Sequence, residues 1–286
     1  MGTSHLRSMR LPVLRRTLTA LALAAVGLPA IIYGGVFYYL LIGAFLVGGA
    51  WEYARLYRAV QLEPNEIVTV GGVLVIATAR FFFADAAIPL LVLLILLAIT
   101  VHLVSFERGR DQAALDFCVT VACIVYIGWL GAYLIDLRNH FGQLGGWWLM
   151  IVLPIVWAGD TGAYSIGAVY GKHKMSPRLS PKKSWEGYFA GVFTSVLIGA
   201  FFSYAFSSLG PQPLKDLINP IKGAWLGLVI GALAPLGDLG ESMFKRQSGS
   251  KDSSNIFPGH GGFLDRIDSW IWGAAIGYFM IQFFIL

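Results

Sequence analysis

The sequence predicts an all-α integral membrane protein of about nine transmembrane helices, with the N-terminus cytoplasmic and the C-terminus outside. Three observations predict it. Hydrophobic residues make up 57% of the 286 positions and charged residues only 13%, about half the charged share of a soluble domain. Mean hydropathy is +0.68. Apolar runs of roughly the 20 residues that a spanning helix needs recur along the chain to its last residue. Soluble globular domains, disordered chains and nucleic-acid-binding surfaces all require more charge, so no nucleic-acid partner is expected.

The runs fall at 17–34, 35–54, 65–84, 86–106, 113–135, 145–170, 184–206, 223–244 and 266–286. The first two touch, and Gly34-Gly35 is the expected turn between them. Residues 1–9, ending at a second methionine, read as an expression-vector remnant. The run behind Arg10, Arg15 and Arg16 reads as a first span, because apolar runs continue after it. Residues 10–140 then hold spans one to five. Residues 141–286 hold spans six to nine, with cytoplasmic loops at 171–184 and 245–265. Cys118 and Cys123 point in different directions on one helix and read as packing residues.

Orientation follows from the basic residues. With the N-terminus inside, all but four of the 21 Lys and Arg lie on cytoplasmic segments; Arg80, Arg138, Lys215 and Lys222 are the exceptions. This is the asymmetry of the positive-inside rule.

The acids sort by depth. Asp85, Glu107, Asp111, Asp136 and Asp216 lie in short loops and are expected to be solvated. Asp160, Glu186, Asp238, Glu241, Asp265 and Asp268 lie within or at the ends of apolar runs, where a carboxylate costs roughly 2.5–3.5 kcal/mol on insertion scales. Such residues persist when something pairs with them. The first 140 residues show little of this kind apart from Asp116 and His102, so the chemistry is expected in the second half.

Two segments there are dense in polar groups. Ser242 to Ser269 combines basic residues, a Pro-Gly-His-Gly-Gly turn and three aspartates. Asp265 and Asp268, three apart, share a helix face. Asp238 and Glu241 end the preceding span. Two acidic helix ends joined by a basic loop can gather carboxylates around a divalent cation, and oxygen-only ligands suit Mg²⁺ beside substrate phosphates. The plainer reading is a charged helix start favoured by the dipole. Gly171 to Gly187 adds Arg178, Lys182 and Lys183, which can clamp phosphates, and Ser184, placed to cap the next helix. A positive-inside loop explains those lysines almost as well. It does not explain Asp160, set among small residues roughly 15 Å inside span six at 1.5 Å per residue. No phosphate-binding Gly-x-x-x-x-Gly-Lys-Ser/Thr loop, Gly-x-Ser-x-Gly elbow or His-Glu-x-x-His pair is present.

The string Ser242-x-Phe244-Lys245-Arg246, Lys251-Asp252-x-Ser254, Phe257-Pro258-x-His260-Gly261-Gly262-x-x-Asp265-Arg266-x-Asp268 resembles the signature of the phosphatidate cytidylyltransferase (CDP-diacylglycerol synthase) family. Gly159-Asp160 and Ser180-Pro181-Lys182-Lys183-Ser184-Trp185-Glu186-Gly187 resemble it too, with Ser184 where Thr is commoner. The resemblance covers roughly 157–269. It implies that phosphatidate and CTP give CDP-diacylglycerol and pyrophosphate by in-line attack of the lipid phosphate on the CTP α-phosphorus, with Mg²⁺ as cofactor. The implied catalytic residues are Asp265, Asp238, His260 and Lys251, and the metal ligands are Asp238, Asp265 and Asp268. Substrate contacts fall to Lys182, Lys183, Arg266, Ser242, Lys245, Arg246, Glu186 and Asp160. The expected setting is the inner (plasma) membrane, with the site facing the cytoplasm, the lipid bilayer as partner and room for a homodimer. The competing readings are a transporter with buried ion-binding acids and a polyprenol kinase or phosphosugar transferase.

Overall fold

The computed structural model describes residues 21–254, 256–257 and 261–286. Residues 1–9, Arg10, Arg15, Arg16 and His260 therefore lie outside the described residues.

Helices fill most of the described part of each apolar run. In order they give α1 (Leu21–Tyr33), α2 (Gly35–Arg58), α3 (Glu66–Phe82), α4 (Ala87–Glu107), and α5 (Ala113–Cys123), which continues through a π-helical turn into α6 (Tyr133–Asn139). Then come α7 (Gly145–Tyr170), α8 (Trp185–Leu209), the short α9 (Gln212–Leu217), α10 (Pro220–Leu233), α11 (Pro235–Gln247) and α12 (Leu264–Met280). Six helical segments are long and apolar enough to cross a membrane: Gly35–Arg58, Ala84–Glu107, Ala113–Asn139, Gly142–Tyr170, Trp185–Leu209 and Pro220–Gln247. The chain is thus an all-α membrane protein with six such helices among the described residues. The described α1, α3 and α12 are shorter.

The expected turn at Gly34-Gly35 is present, with φ of 65° and 59°, a conformation open to glycine at little cost. Arg138 explains its place among the exceptional basic residues here. Its guanidinium donates to the carbonyl of Ile31 at 2.9 Å and so satisfies the end of α1.

Three expectations are corrected. The segment 171–184 is not simply a loop: β1 (Lys174–Ser176) and β2 (Ser180–Ser184) pair as an antiparallel hairpin. The connection expected at 245–265 is shorter, because α11 continues to Gln247 and α12 begins at Leu264. Asp136 is not a solvated loop charge, whereas Asp85, Glu107, Asp111 and Asp216 are exposed. Asp136 lies on α6 with its side chain only 13% exposed and pairs with Arg80 of α3. That guanidinium stacks on Trp129 and Tyr133. Asp116 and His102 also find partners within the bundle, although His102 Nδ1 is left without one among the described residues. Asp116 accepts from the Glu63 N–H at 2.7 Å and from Arg110 at 2.8 Å. The His102 ring meets Thr120 at 3.0 Å.

The second half is built on small residues. The buried positions of α8 are Gly187, Gly191, Ser195, Gly199 and Ser203, a four-residue repeat that makes one helix face. That face lies against both α7 and α10: added Cβ atoms on Gly191 and Gly227 would run into the carbonyls of Gly159 and Ser195. Ser195 donates to the Ile155 carbonyl at 3.0 Å. Apolar side chains gain little by leaving lipid for protein, so close backbone approach and interhelical hydrogen bonds hold such helices together.

The Arg80–Asp136 pair yields a test. Removing one partner of a buried ion pair typically costs about 3–5 kcal/mol, whereas an apolar replacement of both is often tolerated. Arg80→Met alone is expected to lower the melting temperature of the detergent-purified protein clearly, and Arg80→Met with Asp136→Leu to recover most of the loss. A double variant no better than the single one would remove the pair from the account of stability.

Candidate active site

A cavity of about 840 Å³ lies among α7, the hairpin, α8, the α10–α11 junction and the start of α12. That volume is in the range of small-molecule sites. Its walls carry five acids, Asp160, Asp238, Glu241, Asp265 and Asp268, and five cations, Lys174, Lys182, Lys183, Lys245 and Arg266. Helical spacing explains the deep wall. Asp238, Glu241, Ser242 and Lys245 recur at i, i+3, i+4 and i+7, one face of α11, and Asp265 and Asp268 share a face of α12. Gly237 packs where a Cβ would strike the carbonyl of Asp268, which lets the two helices approach.

One carboxylate oxygen from each of Asp238, Glu241 and Asp268 lies within 4.8 Å of the other two. Two of the cations beside them are paired. Lys183 holds Asp238 at 2.8 Å. Lys245, nearly buried, lies 2.5 Å from Glu241 and 2.6 Å from Asp265. Among the residues that line the cavity, two polar atoms remain buried without a partner, Glu241 Oε1 and Arg266 Nε. An unpartnered acceptor within a group of acids suits a hard cation, and an unpartnered guanidinium donor suits an anionic oxygen.

The hairpin delivers Lys182 and Lys183 from β2. Its base is fixed by Ser184, which caps α8 by accepting from the Gly187 N–H at 3.2 Å, as its position before Trp185 predicts. Glu186 faces the other way. Its carboxylate accepts from the Lys172 and His173 N–H groups at 3.2 Å and meets the His173 ring at 2.5 Å.

The turn between α11 and α12 is held by two carboxylates. Asp265 accepts from the Gly262 N–H at 2.9 Å and from the Ser253 N–H and hydroxyl at 3.1 and 2.6 Å. Glu52 of α2, fully buried, accepts from the Ser253 and Ser254 hydroxyls and from the Phe263 and Leu264 N–H groups at 2.5–3.0 Å.

The fold therefore gathers Asp160, Lys182, Lys183, Asp238, Lys245, Asp265, Arg266 and Asp268 around one cavity. Ser242 stands just behind, donating to Asp238 at 3.3 Å. Glu186, Arg246 and Lys251 do not line it. Arg246 donates to the Leu179 and Ser250 carbonyls, and Lys251 is exposed. Within the group of three acids Glu241 stands where Asp265 is expected, because Lys245 and the turn engage Asp265.

The expected metal ligands leave out Glu241, although it is one of the acids that end the preceding span and shares a face with Asp238, three positions earlier. Glu52 escapes the sequence reading altogether. Glu52 is an acid inside the run 35–54, and the depth argument applied to the second half would have found it.

Residues 14–284 match the model described as the cytidylyltransferase family, and the chain belongs to that family, a class of nucleotidyltransferases. Among its relatives, the phosphatidate cytidylyltransferase of Pseudomonas aeruginosa is 36% identical over 263 residues, 89% of this chain and 92% of its own. That of Haemophilus influenzae is 32% identical over 295 residues, 95% and 99% of the two chains. That of Bacillus subtilis is 32% identical over 280 residues, 94% and 98%. Family membership removes the transporter and polyprenol kinase readings.

The hairpin hinge can be tested separately. Glu186→Ala leaves three donors without their acceptor, so trypsin is expected to cut the folded protein at the hairpin's lysines several-fold faster. Unchanged cleavage would mean that Glu186 does not hold the hairpin.

Proposed function

We propose that the protein is a CTP:phosphatidate cytidylyltransferase, which makes CDP-diacylglycerol and pyrophosphate for phospholipid synthesis. The carrying observation is the meeting, in one cavity, of the Asp238–Glu241–Asp268 group with Lys182, Lys183 and Arg266. Purified protein given CTP, phosphatidate and Mg²⁺ is expected to form the cytidine liponucleotide. No product with CTP, or equal product with another nucleotide, would overturn the reading.

The reaction joins two anions. An oxygen of the lipid phosphate forms a bond to the α-phosphorus of CTP while the bond from that phosphorus to the bridging oxygen of pyrophosphate breaks. Lys182, Lys183 and Arg266 lower the repulsion between the approaching phosphates and hold them in line. The negative charge leaves on pyrophosphate, so no covalent protein nucleophile is needed.

The residues present fit Mg²⁺, on the strength of the unpartnered buried oxygen of Glu241 among three carboxylates. Asp238, Glu241 and Asp268 would hold it, and when bound it would neutralise charge on the phosphate oxygens. Asp265, occupied by Lys245 and the turn, keeps Lys245 beside Glu241. The variants should separate these roles. Glu241→Gln, Asp268→Asn and Asp265→Asn are each expected to lower turnover at least about a hundredfold, roughly 2.7 kcal/mol of barrier. Only the first two should raise the Mg²⁺ needed for half-maximal activity and recover partly in excess Mg²⁺. Recovery of Asp265→Asn alone would return that residue to the metal.

The nine apolar runs serve as nine spans in this reading, N-terminus inside, with the cavity open to the cytoplasmic face of the inner membrane. The positive-inside distribution supports this orientation. In protein lacking Cys118, a cysteine at Pro177 in the hairpin is expected to react with a thiol reagent only from the cytoplasmic side, and one at Lys215 only from outside. Reaction of both from one side would overturn it.

A further inference from the structure

Helix α12 carries Asp265, Arg266 and Asp268 within its first five residues, so its start and rotation decide where those groups sit. Its own N-terminal flank cannot fix that start. Phe263 stands at the capping position and supplies no side-chain acceptor, although the first N–H groups of a helix need partners. The acceptor comes from another helix. Glu52 of α2, more than two hundred residues earlier, takes the Phe263 and Leu264 N–H groups at 3.0 and 2.8 Å. A carboxylate at this place also favours the positive end of the helix.

The surroundings are shaped for this contact. A Cβ on Gly262 would fall on the Glu52 carboxylate, and one on Gly48, a turn before Glu52, would fall on the Phe263 ring. The same carboxylate takes the hydroxyls of Ser253 and Ser254 at 2.8 and 2.5 Å, so it ties the entry of the turn to its exit. Ser253 also reaches Asp265, Asp265 holds Lys245, and Lys245 holds Glu241. Polar contacts thus run without a gap from α2 to the acids of the cavity.

We infer that Glu52 is a positioning residue for cytidylyl transfer: it caps α12 from a distant helix and sets the placement of Asp265 and Asp268 without touching substrate. The inference rests on the function proposed above, and its test has one arm that does not.

Glu52→Gln keeps the side chain's length but replaces one acceptor oxygen with an NH₂ group, which cannot accept and which faces hydrogen-bond donors. Hydrogen exchange of the 261–266 segment is expected to speed up at least about tenfold, with α2 and the rest of α12 as protected as in the parent. Turnover at saturating substrates should fall roughly thirtyfold while the KM values for CTP and phosphatidate change less than about threefold, the pattern of lost positioning. Glu52→Asp should recover part of the turnover. Unchanged exchange, or faster exchange with parental turnover, would overturn the inference. If Glu52→Gln speeds exchange but the parent protein shows no cytidylyl transfer, the cap stands and the function reading fails. Should Glu52→Gln not fold, Ser254→Ala, which removes one of the four donors and leaves α2 intact, must raise exchange and lower turnover in the same direction for the inference to survive.

Discussion

The ammonium of Lys245 stands between Glu241 and Asp265, 2.5 and 2.6 Å from their oxygens, and the rest of the site depends on it. All three side chains are nearly buried, where an isolated charge costs several kcal/mol. A cation shared by two carboxylates offsets much of that cost, because each attraction is strong in a medium poorer in water. The arrangement also fixes geometry. Glu241 belongs to α11 and Asp265 to α12, so one amine sets how the two helices lie against each other. With one Glu241 oxygen committed to Lys245, the other stays buried and unpartnered beside Asp238 and Asp268. An acceptor left in that position among carboxylates is suited to a hard cation.

The opposite wall of the cavity is made possible by what α8 lacks. Its inner face has no side chain larger than serine, so α7 and α10 approach it backbone to backbone. The hairpin is thereby carried close enough to α11 for Lys183 to reach Asp238. Larger residues on that face would move Lys182 and Lys183 away from the acids they must face.

Most of the fold was legible in the sequence because a membrane imposes a length and a polarity on each helix. The described part of each apolar run is largely helical, with six helical segments long and apolar enough to span, and the glycine turn at 34–35 fell where the runs met. The acids of the second half were legible by the same rule, since a carboxylate in an apolar run calls for a partner. Partners were not legible. Whether Asp265 would face a cation, a metal or a turn depends on the rotation of α12 against α11, and spacing along one helix carries no such information. Asp136 was misread because α6 is short and looks like a loop end, while its partner Arg80 lies on another helix.

Glu52 shows what that blindness conceals about the first half of the chain. Read alone, α2 is an apolar span with one acid near its polar end, as many spans have. Placed against α12, the same acid supplies what the helix start cannot supply for itself, and Gly48 and Gly262 leave the room for it. A helix whose first five residues include three charged ones gains from a cap that does not move with the turn it holds. A side chain of the turn itself would shift with every rearrangement there, whereas α2 is anchored by its own buried face. The first half of the chain is therefore the fixed support against which the charged end of α12 is aligned.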